Sequence, residues 1–300
     1  MAGFLLFKIP FNKVSFTPLQ QLTKLQDRGL VVSNEPQALS YLQHVGGYRL
    51  KGYYYHLLDH STKEFPKGYC FEQIAERYEF DRHLRFHTFA AITRLETSVR
   101  SNIANHLSST YGPHWFLRHD LFNKTEKWSP GKLVRKVEEE VGRSAAQFVK
   151  HYYRKFDEPY LPPSWNVAEC VTFGMWSLTY DALKNSGDKK SISAKYRVTN
   201  VEVFGSWLHT LTVVRNTVAH HSRLLNHKFV AGPQNSKENK LKFLDAHSFY
   251  SAATLMNYMQ NVTSLPNNWK NDLISTFNAF PGVSISELGF PAGWQSRPGW

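Results

Sequence analysis

Cysteine and long hydrophobic runs are scarce in this chain. Cys70 and Cys170 are the only two cysteines among 300 residues, and they form no paired motif. A disulfide framework or a thiolate zinc site is therefore not expected, and the composition suits a reducing cytosol. No segment approaches the roughly 20 apolar residues of a membrane-spanning helix. The short apolar run at residues 4–7 lacks the flanks of a signal peptide, so we expect a cytoplasmic protein with no membrane partner.

Several catalytic motifs are also missing. The sequence contains no P-loop, no dinucleotide-binding glycine fingerprint, no Gly-x-Ser-x-Gly elbow and no His-Glu-x-x-His pattern. Nucleotide-driven and esterase chemistry therefore have no support, and no cofactor or metal is expected. Acidic residues are outnumbered by basic ones, 24 to 36, which gives a formal net charge of +12. This surplus favours a polyanionic partner, with nucleic acid first, although a merely basic protein fits the charge alone nearly as well.

The sequence is rich in helical periodicity. Apolar residues recur every three or four positions over residues 71–107, which predicts one long helix, or two nearly continuous ones, ending at residues 111–113. Two or three shorter helices are predicted within residues 19–58. Further helices are predicted at residues 132–156, 167–183, 201–225, 246–262 and 269–280. The sequence therefore predicts an all-α fold with a central helical bundle.

These elements predict three parts of the chain. Residues 1–66 form an N-terminal helical region, and residues 67–230 form the helical core. Residues 231–300 form a C-terminal helical extension that ends in an irregular tail rich in glycine and proline.

The predicted helix at residues 201–225 carries the most informative cluster of side chains. At about 100° per residue, His209, Asn216, His220 and Arg223 lie within roughly 60° of one another, opposite an apolar face. Arg215 lies at the flank, from which its long side chain can reach the same stripe. A guanidinium grips phosphate oxygens in a forked geometry, and an imidazole transfers protons near neutral pH. This set suits metal-independent phosphodiester cleavage.

Neighbouring residues receive supporting roles. His221 is expected at the core flank, as a packed histidine. On the long helix, Glu96 and Arg100 form an i,i+4 pair beside apolar positions, where charges are costly unless paired. We expect a semi-buried ion pair there in preference to a catalytic role. Arg100 and His106 also fit an Arg-x5-His pattern, a weak second motif.

The run at residues 48–56 interleaves aromatic and basic side chains. Arg49, Lys51, Tyr53 and Tyr54 are candidates for RNA binding, because bases stack on rings and phosphates meet cations. Ordinary packing of tyrosines, with their hydroxyl groups kept wet, explains the run equally well.

Residues 215–220, Arg-Asn-Thr-Val-Ala-His, match the Arg-x4-6-His signature of HEPN ribonucleases. Together with residues 206–211 and 221–224, they resemble the signature of the AbiD/AbiF-like abortive-infection proteins. Other segments are similar to blocks of that family in the same order, namely residues 25–30, 48–54, 78–82, 94–106 and 169–174. The resemblance covers roughly residues 18–228 and does not reach the last 70 or so.

The resemblance implies an antiviral, toxin-like ribonuclease with a HEPN-type bundle at residues 67–230. It also implies a homodimer in which two motifs share one cleft, and a small RNA or protein antitoxin as a restraining partner. Under this hypothesis His220 is the general acid or base, and Arg215 stabilises charge on the phosphate. Asn216 orients the imidazole or the phosphate. The products would carry 2′,3′-cyclic phosphates.

Two other interpretations stay open. The stronger one is a non-catalytic helical module that binds RNA or a protein partner in a defence or toxin–antitoxin system. A metal-dependent hydrolase that uses His209, His220 and His221 is less favoured, because no carboxylate except Glu202 has suitable spacing.

Overall fold

The structure is a computed structural model that describes residues 10–124 and 128–300, so the apolar run at residues 4–7 lies outside the described residues. Across those two ranges no residue belongs to a β-strand, and only isolated bridges occur, such as that between Val31 and Cys70. The prediction of an all-α fold is confirmed. The α-helices are α1 (Pro18–Gln26), α2 (Glu35–Tyr41), α3 (Gly47–Tyr54), α4 (Phe71–Tyr111), α5 (Pro130–Arg143), α6 (Gln147–Lys155), α7 (Ser164–Cys170), α8 (Phe173–Ala182), α9 (Ser186–Ala194), α10 (Val201–Ala219), α11 (Phe249–Thr263) and α12 (Trp269–Ala279).

The chain divides into two compact units, Met1–Phe80 and Asp81–Trp300. In the first unit, Thr17 and Gln20 form a capping box at the start of α1, which satisfies two backbone donors that the helix leaves unpaired. A π-helical turn, Leu42–Gly46, joins α2 to α3. The helices of this unit bury leucine and tyrosine side chains, among them Leu22, Leu42, Leu50 and Tyr53.

The second unit is built around α10, which packs against α8, α9 and α11. Its buried face includes Trp207, whose indole N–H donates to the Gln234 carbonyl at 2.9 Å. Gly205 allows α8 to approach closely, since a Cβ at that position would lie 2.5 Å from Asp181 Oδ1. The packing therefore fixes the position and rotation of α10.

Helix α4 confirms the prediction of one long helix, whereas two other predicted helices are each divided. The predicted helix at 132–156 breaks after Arg143, where Ser144 takes an extended backbone conformation and α6 restarts at Gln147. The predicted helix at 167–183 breaks at Val171 and Thr172, which are also extended. Sequence reasoning missed α9 altogether.

The tail beyond residue 281 is irregular, as predicted, apart from 3₁₀ turns at Ile285–Leu288 and Trp294–Ser296. Its aromatic side chains nevertheless belong to the core of the second unit. The Trp300 indole N–H donates to Thr254 Oγ1 at 2.8 Å, and the rings of Trp294 and Trp300 meet edge to face at 4.5 Å. Among the described residues, no helix has both the length and the hydropathy needed to cross a membrane.

Candidate active site at the end of helix α10

Helix α10 begins at a cap and ends earlier than predicted. Asn200 caps the first turn by accepting from the Val203 N–H at 2.9 Å. The last helical residue is Ala219, and His220 is the C-cap, with its N–H still donating to the Asn216 carbonyl at 3.0 Å. The predicted extension to residue 225 is therefore wrong.

The early end of α10 changes the expected positions of two supporting residues. His221 has a left-handed backbone (φ 57°), so the chain reverses direction there. Its side chain is exposed and not packed at the core flank, which corrects the expectation for this residue. Arg223 lies half-buried in the following loop, so it does not continue the polar stripe of the helix. The helical projection holds only as far as the cap.

Arg215 is held by a carboxylate on α4. Its Nε lies 3.2 Å from Glu96 Oε2, while Glu96 Oε1 accepts from Arg100 one turn further along α4. The predicted Glu96–Arg100 ion pair is thus present, and Arg215 joins it to form a cluster of three charges. Burial lowers the pKa of Arg100; Glu96 opposes this effect, and the nearby Arg215 adds to it. Arginine nevertheless stays protonated at physiological pH, so the three side chains carry one more positive than negative charge. A further carboxylate, Glu169, is near enough to Arg100 to oppose the lowering of its pKa.

The cluster also offers more hydrogen-bond donors than acceptors. Arg100 Nη1 donates to the Ala168 carbonyl at 3.3 Å, but its buried Nε finds no acceptor among the described residues. Arg215 Nη1 makes only a long 3.5 Å contact with Asn216 Oδ1, and 30% of the Arg215 side chain is exposed. An anion at this surface would therefore meet a guanidinium that is positioned by Glu96 and still reachable from solvent.

The structure brings Asn216 and His220 to the same end of α10 as Arg215, and both side chains are exposed. His209 does not join them. It precedes His220 by three helical turns, or about 16 Å of rise. Its neighbour is Asp181 of α8: partial burial raises the pKa of Asp181, and Lys189 and His209 oppose that rise. A supporting role for His209 in the same cleft of one chain is therefore not favoured by the geometry.

Sequence reasoning missed Asp81, which holds the loop after the motif. This carboxylate is fully buried, and its Oδ1 accepts from the Leu224 and Leu225 backbone N–H groups at 2.8 Å each. Its Oδ2 pairs with Arg85, one turn along α4. The available signal was the i,i+4 spacing of an acid and an arginine, the same signal that identified Glu96 and Arg100.

Residues 215–225 form the motif segment. Its contacts with α4 run in opposite sequence order. Arg215 meets Glu96, the end of α10 shares a cavity with Phe86 and Phe89 of α4, and Leu224 meets Asp81. The two helices are therefore antiparallel here. A cavity of about 320 Å³ lies beside the end of α10. It is lined by Arg82, Arg85, Phe86, Phe89, Val218, Ala219 and His221.

Exposed aromatic side chains line that cavity. Phe86 is 69% exposed and Phe89 is 41% exposed. Large apolar side chains beside a polar cluster are typical of a surface that is covered in an assembly.

The first unit contains the residues predicted to bind RNA. Arg49 and Lys51 are exposed, and Lys51 lies 4.6 Å from the centre of the exposed Tyr55 ring. Tyr53 and Tyr54 are buried, so their rings are not open to stacking on a base. Burial favours the packing interpretation for these two tyrosines, while RNA binding by Arg49 and Lys51 stays a prediction.

The weak Arg-x5-His pattern of Arg100 and His106 is part of a different set of contacts. His106 Nε2 lies 2.8 Å from Asp188 Oδ1 on α9, and the Tyr111 hydroxyl donates to the other oxygen of Asp188 at 2.6 Å. His106 thus fastens α4 to α9. In the described part of the chain, no group of three or more histidine, cysteine or acidic side chains is arranged to hold a metal ion.

The fold and this site define a helical protein with a cationic cluster at the end of one core helix. The family model described as Abi-like protein matches residues 40–226, more than half of the chain, and includes α4, α10 and Asn226 just beyond the motif. The chain belongs to this family, and membership indicates a function related to abortive infection. No curated protein and no solved structure matched the chain.

Proposed function

We propose that this protein is a metal-independent RNA endonuclease whose active site is the solvent-facing end of α10. The observation that carries the proposal is that Glu96 fixes Arg215 next to Asn216, near the end of the helix that His220 caps, without burying its guanidinium. Family membership supports a role in defence by abortive infection.

The proposed chemistry assigns one task to each side chain. His220 takes the proton from the RNA 2′-hydroxyl or gives one to the departing 5′-oxygen, a contribution of roughly 10²- to 10⁴-fold in rate. Arg215 stabilises the charge that grows on the non-bridging phosphate oxygens. Asn216 orients the imidazole or the phosphate by hydrogen bonding. The reaction leaves a 2′,3′-cyclic phosphate and a 5′-hydroxyl.

The Arg215–Glu96–Arg100 cluster suits a phosphate better than a single ion pair would. One carboxylate shared by two guanidinium groups leaves one positive charge in excess within the cluster, which the nearby Glu169 partly offsets. The fixed position of Arg215 also reduces the reorganisation that is needed when the transition state forms. Arg100 thus strengthens the local positive potential without contacting the substrate.

A second copy of the chain would complete the site. One imidazole cannot easily serve as acid and base in the same step, whereas two motifs facing one cleft supply two. The exposed Phe86 and Phe89, which line the cavity beside His221, are the surface that we propose for this homodimer. A Phe86→Glu variant should sediment as a monomer at concentrations where the wild type is a dimer.

The central experiment compares two histidines of the same helix. Wild type, His220→Ala and His209→Ala are incubated with total cellular RNA, with and without EDTA, and the product ends are mapped. We expect His220→Ala to lose roughly 10²- to 10⁴-fold in rate, while His209→Ala cleaves like the wild type and EDTA has no effect. Equal losses in the two variants, or activity abolished by EDTA and restored by Mn²⁺, would contradict the proposal.

The alternative function is a non-catalytic RNA- or partner-binding module. The observation in its favour is that Arg215 already has a carboxylate partner, as structural arginines commonly do. In that case His220→Ala keeps both RNA binding and any toxicity in cells. The endonuclease proposal requires that the same variant still bind RNA but no longer cleave it.

A further inference from the structure

Helix α6 lies between two neighbouring surface grooves. One has a volume of about 740 Å³ and the other about 500 Å³, and both are lined by Gln147 and Arg154. Together they form the α6 groove, which belongs to the second unit. We propose that the α6 groove binds single-stranded RNA and extends the substrate site at the end of α10. This inference rests on the proposed function.

Exposed rings line the larger part of the groove. Trp165, Phe156 and Phe148 are 52%, 44% and 37% exposed, although burial of such large apolar rings would stabilise the fold. Their flat faces suit nucleobases, which stack on aromatic side chains with little dependence on sequence. A duplex keeps its bases paired and stacked, so the rings favour a single strand.

The charges along the groove suit a phosphate backbone. Lys150 and Arg154 are exposed and line the groove, Lys155 is exposed next to Arg154, and across the described residues none of the three forms an ion pair with a carboxylate. Nearby acids are engaged elsewhere, since Glu138 accepts from the Tyr160 hydroxyl at 2.8 Å and Glu140 pairs with Lys136 at 2.6 Å. Glu158 lines the groove as its one acidic side chain. Cations next to rings suit a single strand, because its phosphates and its bases are contacted together.

Short contacts connect the α6 groove to the proposed active site. Trp165 lies in the first turn of α7, and one turn later the Ala168 carbonyl accepts from Arg100, the partner of Glu96. At the end of the same helix, burial raises the pKa of the Cys170 thiol, and Ser144 of the smaller groove and Arg100 oppose that rise. The α6 groove and the cluster that contains Arg215 are therefore linked through α7.

The test measures binding separately from cleavage. A fluorescent single-stranded RNA of about 20 nucleotides is titrated against full-length protein carrying His220→Ala, and binding is followed by anisotropy. Adding Trp165→Leu should weaken binding roughly 5- to 150-fold, which corresponds to the loss of stacking on one base. Trp165→Phe, which keeps a ring, should restore most of the affinity, and Phe11→Ala is the control for an exposed ring elsewhere.

A second measurement tests the charges. Replacing Lys150 and Arg154 together by alanine should lower the slope of log Kd against log salt by about 1.4, as expected for two lost contacts with a single strand. Lys237→Ala with Lys240→Ala removes the same charge from another exposed segment of the second unit and should leave the slope unchanged.

Three outcomes would overturn the inference: equal binding by the leucine and phenylalanine variants of Trp165, an unchanged salt slope, or equally tight binding of duplex RNA. The first of these would point to a protein partner with an apolar segment. Failure of the endonuclease proposal is a separate result, because wild type would then leave RNA intact while the binding differences persist.

Discussion

Helix α4 carries two acid–arginine pairs with the same i,i+4 spacing, and they hold different parts of the motif segment. Asp81–Arg85 binds the loop after α10, whereas Glu96–Arg100, about 22 Å further along α4, binds Arg215. The Asp81 carboxylate accepts from two backbone N–H groups and pairs with one guanidinium. Glu96 receives two guanidinium groups, of which that of Arg215 is the more exposed.

The difference shows that the surroundings of a pair decide its role. At Asp81 the carboxylate is matched by donors that lie inside the fold, so the pair acts as a structural clamp. At Glu96 the cations exceed the acid, so positive charge remains at the surface. The first pair should therefore govern stability, and the second should govern activity.

The largest effect is expected from Asp81→Ala. This change removes the carboxylate that accepts from two backbone donors and pairs with the buried Arg85, at a cost of about 3–5 kcal/mol in the free energy of unfolding. That is a large share of the stability of an ordinary domain. Urea denaturation measures it. Asp120→Ala removes an exposed carboxylate that pairs with Arg118, and it should change little.

A smaller effect on stability and a larger one on activity are expected from Glu96→Gln. The amide keeps the shape of the side chain but loses the charge that fixes Arg215, at a cost of about 1–3 kcal/mol. Displacement of the guanidinium by about 1 Å should slow RNA cleavage on the order of 10²-fold. Normal cleavage rates in a folded Glu96→Gln protein would show that the Glu96–Arg100 pair does not govern activity.

Arg85→Met should cost less than loss of Asp81. The carboxylate keeps the Leu224 and Leu225 N–H groups, so the expected loss is about 1.5–3 kcal/mol, the contribution of a hydrogen bond to a charged group. Denaturation curves of the two variants give the ranking directly. If Arg85→Met is the more damaging change, the backbone donors are not what secures the loop.

The smallest effect is expected from lowering the pH, which acts on His227 in the loop that Asp81 holds. Burial lowers the pKa of His227, the neighbouring Arg223 adds to this, and Asp81 opposes it. The folded chain therefore binds fewer protons than the unfolded chain between the lowered pKa and the ordinary value near 6.5, so acid favours unfolding in that window. His227→Gln should reduce the loss of stability between pH 7 and pH 5. A variant with the wild-type pH dependence would show that other groups cause that loss.

The sequence predicted the features that depend on local spacing. Residues along α4 follow a helical period, and Glu96 and Arg100 are neighbours on any helix, so the long helix and its ion pair were both predictable. The contact of Arg215 with Glu96 joins residues 119 positions apart, and Leu224 lies 143 positions from Asp81. No local pattern contains such pairs.

The end of α10 could not be predicted from the sequence, for a different reason. Left-handed residues that end a helix are usually glycine or asparagine, whereas here the residue is His221. Tertiary contacts, namely the Asp81 clamp and burial of Leu224 and Leu225, override the helical pattern of residues 220–225. The wrong expectation for the side chain of His221 followed from predicting too long a helix.

The Asp81 clamp also gives the spacing of the motif a mechanical meaning. Glu96 fixes Arg215 at one end of the segment, and Asp81 fixes Leu224 at the other, so the intervening residues have to span a set distance along α4. A single-residue insertion or deletion between Asn216 and Arg223 would rotate His220 away from Arg215 or pull Leu224 out of its pocket. The length of this segment is therefore as constrained as the chemistry of its side chains.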